Sequence, residues 1–260
     1  MIRGLWDSEM VAAILLAALM PVALTWLWFG GLDAAGRLVL ALIVAGFWHI
    51  VFMLARAQPP SLAGAITALA VAMLAPEDLG LLRMMMGISF GAVFGELVFG
   101  GWGRNVVNPA TVTLAFLGFG FPAFAWPEFV PPVAWAAIPA AVIGVAAGVM
   151  PFGVAAGAVL VAALGVLAGL DLEAVLAPAV IVLVLLVLDP VTSASTTLGR
   201  WLNGAFYAAM VILFATGWDG AAPLQMAVGA ALLASLAAPT FDELATQIWV
   251  AQRRRRHGRT

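Results

Sequence analysis

The 260-residue sequence has no cysteine, which excludes disulfides, thiolate-held iron–sulfur clusters and thiol nucleophiles. It has no lysine either, so every fixed positive charge is an arginine. His49 and His257 are the only histidines, too few for bis-histidine haem ligation beside any other use, or for a histidine-rich metal site. Electrons moving through such a chain need an organic cofactor. Charge of either sign is scarce: 9% of residues are charged and 65% hydrophobic, with a mean hydropathy of +1.12. Soluble domains carry roughly 45–50% apolar and about 25% charged residues, so this composition is not that of a soluble core. A cleavable leader is not expected, because the first apolar stretch is long and follows Asp7 and Glu9.

What is present is apolar and segmented. A membrane span needs about 20 apolar residues, with a range of roughly 17–25. Stretches of that kind run over residues 10–30, 38–55, 80–99, 134–150, 152–170, 198–218 and 222–238. Three shorter ones run over 62–75, 109–121 and 174–188. Short helices leave irregular backbone at membrane depth, tolerated only where protein buries it or it lines a cavity. The expectation is an all-α membrane protein of about ten transmembrane or half-membrane helices. Residues 1–240 form one polytopic domain, and 241–260 an amphipathic helix with an arginine-rich tail on the cytoplasmic face.

Arginine placement orients the chain. With the N-terminus inside, Arg3, Arg56, Arg104, Arg200, Arg253, Arg254, Arg255, Arg256 and Arg259 face the cytoplasm, against Arg37 and Arg83 outside. That is the positive-inside pattern, and it puts both termini in the cytoplasm of a bacterial inner membrane. The final arginine cluster reads as an anchor to anionic lipid, with no nucleic-acid role. A weak internal similarity relates the residues around Pro76 to those around Pro190, five segments later. Interrupted segments at matching places in inverted halves point to a site between them, with halves at 10–121 and 134–239.

Two loops hold most of the chemistry. In residues 100–110, GGWGRNVVNPA, Asn108 is a good N-cap and Pro109 suits the first helical turn. A glycine-rich turn thus feeds a helix N-terminus able to hold a polar ligand, with Arg104, Asn105 and Asn108 as candidate contacts. In residues 189–197, DPVTSASTT, five hydroxyls follow a stretch from Leu114 to Val191 that has none from serine or threonine. Asp189, Thr192, Ser193 and Ser195 read as a hydrogen-bonding wall for a ligand. Glu96 is a carboxylate deep in an apolar segment, functional by default: a protonated structural residue, a partner of Arg104, or part of a proton or sodium path. His49 reads as an interhelical polar residue.

Residues 87–122 (GISFGAVFGELVFGGWGRNVVNPATVTLAFLGFGFP) resemble the signature of the NqrB/RnfD family. Residues 188–210 (LDPVTSASTTLGRWLNGAFYAAM) resemble its second motif, and residues 238–256 its C-terminus. The resemblance implies ten helices in two inverted five-helix halves, related to the urea- and ammonium-transporter architecture. It also implies a membrane subunit of a redox complex working with other subunits and with quinone. A non-covalent flavin, riboflavin or FMN, would lie near Arg104, Asn105, Asn108 and Pro109, and Glu96 would be the acidic residue of cation coupling. Family members bear covalent FMN on a threonine in a long outer loop. Here that connection, residues 122–133, has no hydroxyl residue, so no covalent flavin is expected, and no metal. A channel or transporter for a small solute is the alternative on the same architecture.

Overall fold

The computed structural model describes residues 7–56 and 61–257, with side chains as far as Arg254. Arg3 and Arg259, and the side chains of Arg255, Arg256 and His257, lie outside the described residues. The described residues are helical and contain no strand.

Helix α1 (Ser8–Arg56) is a hairpin of two arms broken at Gly31, whose φ of 57° and ψ of −138° suit glycine. Asp7 starts the first arm by accepting the Met10 N–H at 2.8 Å. The arms run in opposite directions along α2 (Ala63–Leu74). Glu9 on the first arm accepts the Leu62 N–H at the start of α2, while Arg37 on the second donates to the Ala75 and Pro76 carbonyls at its end. The two spans expected over 10–30 and 38–55 are these arms. Helix α2 is 12 residues long and buried nearly all round, about 18 Å at 1.5 Å per residue. Such a helix fits an interior position, because it carries no charge and exposes little for lipid to cover.

Helix α3 (Gly80–Phe90) widens into a π-helical turn over Gly91–Glu96 and tightens into a 3-10 turn over Leu97–Phe99. The wide turn lets α4 (Pro109–Gly120) come in close. A Cβ on Gly91 would stand 1.8 Å from the Thr113 Oγ1 and 2.7 Å from the Pro109 carbonyl. Helices α5 (Pro131–Ala146), α6 (Phe152–Leu167) and α7 (Glu173–Val182) follow, α7 opening into a second π-helical turn over Leu183–Val187. Helix α6 crosses α8 (Thr197–Gly217) on small residues, as membrane helices do to bring backbones together. A Cβ on Gly204 would fall 1.9 Å from the Val154 carbonyl oxygen. Two buried polar side chains of α8 find backbone partners: Asn203 donates to the Ala234 carbonyl and the Tyr207 hydroxyl to that of Ala179.

The last helix, α9 (Pro223–His257), departs from the expected pattern. The amphipathic segment after residue 240 is not a separate element but continues the apolar helix through Pro239. At 35 residues it is about 52 Å long, well beyond a hydrocarbon core of about 30 Å, so its end projects as a stub. Four helical stretches are long and apolar enough to cross a membrane: Ser8–Arg56, Gly80–Phe99, Thr197–Gly217 and Pro223–Arg254. Trp28, Phe29, Leu32 and many other large apolar side chains are exposed. Water does not tolerate so large an apolar surface; for an integral membrane protein it is the face turned to lipid.

Candidate functional site

The polar loops meet at one end of the molecule. Asn108 stands at the start of α4 and Asp189 just beyond the turn that ends α7, far apart in sequence. The Asn108 Nδ2 donates to Asp189 Oδ2 at 3.0 Å. The other end of that carboxamide caps α4, its Oδ1 accepting the Ala110 and Thr111 N–H groups at 2.9 and 3.2 Å. Asp189 also accepts the Thr192 hydroxyl at 2.9 Å and the Val191 N–H at 3.0 Å. Burial pushes the Asp189 carboxyl above the usual carboxylate range, against the downward pull of these three donors. Asn108, Asp189 and Thr192 are all buried. One carboxylate thus holds its own loop in a turn and joins it to the other loop.

The remaining sequence candidates divide. Asn105 is buried and shapes its own loop, accepting the Gly103 N–H at 3.2 Å and donating to the Val107 carbonyl at 3.3 Å. Arg104 is exposed and folds back over Gly100. Ser193 is half-buried, tied by its N–H to the Asp189 carbonyl at 3.2 Å. Ser195 faces away from Asp189 and toward α9. Its N–H and hydroxyl, with those of Thr196, donate to Asp242 over 2.6–2.9 Å. Asp242 is therefore a clasp between the projecting stub of α9 and the hydroxyl-rich loop, and sequence reasoning did not single it out.

Glu96 closes the wide turn of α3 and does not meet Arg104. Its side chain is 1% exposed, and its Oε1 lies 3.8 Å from the Nε2 of His49. Among the described residues, Glu96 Oε1 and Thr111 Oγ1 are buried oxygens without a hydrogen-bond partner. Leu15, Leu19, Ala63, Thr67, Trp102, Asn108 and Asp189 help line a cavity of about 20 Å³ beneath the loops. That is room for about one water, not for a tricyclic ring. Both carboxamides are engaged by the protein itself. Arg104 is the exposed cation beside them, and Ser193 is half-buried.

A family model described as "NQR2, RnfD, RnfE family" matches residues 2–137, just over half of the chain. A subunit of the Na(+)-translocating NADH-quinone reductase of Yersinia pestis is 41% identical over 81 residues, 31% of this chain and 20% of the relative. Its counterpart of the same name from Pseudomonas aeruginosa is 36% identical over 121 residues, 46% of this chain and 26% of the relative. The one from Azotobacter vinelandii is 42% identical over 81 residues, 31% and 20% of the two chains. The matched segments thus span only about a fifth to a quarter of these relatives.

Proposed function

The chain belongs to the NQR2, RnfD, RnfE family, and from that premise we propose that it is a membrane electron-transfer subunit of a redox complex. It passes electrons to or from quinone or a neighbouring subunit, with cation movement through Glu96 coupled to that transfer. The observation that carries this reading is the Asn108–Asp189 hydrogen bond, which joins the two motif loops into one polar platform at the end of an apolar bundle. A non-covalent flavin, riboflavin or FMN, would be held at that platform and would supply one- and two-electron chemistry there. Arg104 and Ser193 would hold it, on a framework formed by Asn105, Asn108, Asp189, Thr192 and Ser195.

The same reading makes residues 10–121 and 134–239 two inverted halves resembling the urea- and ammonium-transporter architecture, with both termini at the cytoplasmic face of a bacterial inner membrane. Support comes from the ends of α2 and α7. Pro76 closes the first beside the 121–130 connection, where the Glu77 N–H donates to the Ala125 carbonyl at 2.7 Å. Pro190 closes the second at the opposite end, beside Asn108. The test is the absorption spectrum of the detergent-solubilised protein with its extracted cofactor identified. A yellow preparation is expected, and Asn108→Leu lowers its flavin content about tenfold by slackening the platform, the factor that about 1.4 kcal/mol supplies. A colourless protein that conducts a small solute in liposomes would favour the channel alternative.

A further inference from the structure

Glu96 and His49 form a built pair. The Glu96 Oε1 is buried and unpartnered, and it faces the His49 Nε2 at 3.8 Å. The imidazole has a seat made for it: a Cβ on Gly64 would stand 2.6 Å from the same nitrogen. We propose that the ion exchanged at Glu96 is a proton and that His49 is the group exchanging it, an inference that rests on the reading of Glu96 as part of the ion path.

The surroundings favour a proton over a metal cation. Hard cations are held by shells of oxygens, whereas the group facing Oε1 is a nitrogen. A proton needs only a donor and an acceptor. The neutral carboxyl gives its proton from Oε1 to Nε2, leaving a carboxylate and an imidazolium, and the charge of the pair is unchanged. The gap exceeds the hydrogen-bonding range of about 2.7–3.2 Å, so transfer waits on a rotation of the ring or the carboxyl.

The other ionisable groups extend the pair in both directions. Glu9, in the first turn of α1, accepts the Leu62 N–H at the start of α2, and Asp189 lines the same small cavity as Ala63 and Thr67 of that helix. Burial deepens along this order, from half-buried Glu9 through His49, 13% exposed in its side chain, to Glu96 and Asp189. Of the nearby arginines, Arg56 donates to the Val98 carbonyl at 3.3 Å and Arg104 is exposed. Arg83, on the same helix as Glu96, binds the Leu79 carbonyl at the far end. Helices α2 and α4 contribute no titratable side chain.

The experiment is infrared difference spectroscopy on the purified full chain, following the protonated carboxyl band that Glu96→Gln removes. In sodium-free buffer the band should fall as pH rises, and at fixed pH it should not respond to added sodium chloride. His49→Gln should preserve the band down to about tenfold lower proton concentration, since the carboxylate loses an imidazolium that favours it. Loss of the band on adding sodium at constant pH would overturn the proposal, as would a band indifferent to pH or to His49→Gln. The wild-type titrations decide between proton and sodium even if a variant does not fold. No electron transfer is measured, so a colourless preparation would sink the flavin reading and leave this result standing.

Discussion

Asn108 has two jobs that can be separated by substitution. Its oxygen caps α4 and its nitrogen satisfies Asp189. Asn108→Asp keeps the acceptor for the cap but sets a second acidic group against a buried one. Asn108→Ser keeps a capping oxygen and brings no charge. A lost cap costs about 1 kcal/mol and an unsatisfied buried group about 1–3 kcal/mol. Asn108→Asp should therefore lower the thermal midpoint in detergent more than Asn108→Ser does at neutral pH, and lose much of that excess under acid conditions that protonate the pair. Equal midpoints for both variants at both pH values would show that the Asp189 contact carries no weight. The cap was legible in the sequence, because Asn followed by Pro at a helix start is a local rule. The bond to Asp189 was not, since nothing local links residues 81 positions apart. His49 and Glu96 were each visible as expensive polar groups in apolar segments. Their facing one another depends on how α1 lies against the wide turn of α3, which periodicity does not report.

At the scale of elements, the short apolar stretches were readable because their length is set against a fixed membrane thickness, and α2, α4 and α7 fall close to the expected bounds. The projecting end of α9 was harder to read. A change of composition after residue 240 marks where the helix leaves the apolar medium, but composition does not say whether the helix turns there. Asp242 holds it by taking four donors from Ser195 and Thr196. Hydrogen bonds to a charged group contribute about 1.5–3 kcal/mol each. In Asp242→Ala, hydrogen exchange at the Ser195 and Thr196 amides should accelerate at least about tenfold, the factor for about 1.4 kcal/mol, while the Ala110 and Thr111 amides stay protected by Asn108. Unchanged exchange at residues 195 and 196 would mean that the clasp is not formed in solution.

For the whole molecule, the arginines imply an orientation with both termini inside, an expectation that the absence of cysteine makes testable. Single cysteines at positions 128 and 257 should label from outside and inside respectively with a membrane-impermeant maleimide. External labelling at 257 with none at 128 would invert the molecule. The proposed role of the molecule turns on whether the joined loops carry a flavin. The most direct measurement is the visible spectrum of the purified, detergent-solubilised chain, followed by denaturation and identification of what is released. Flavin absorption is expected, with free riboflavin or FMN in the supernatant after denaturation and no flavin fluorescence left on the polypeptide. A preparation with intact helical structure and no flavin absorption would contradict it.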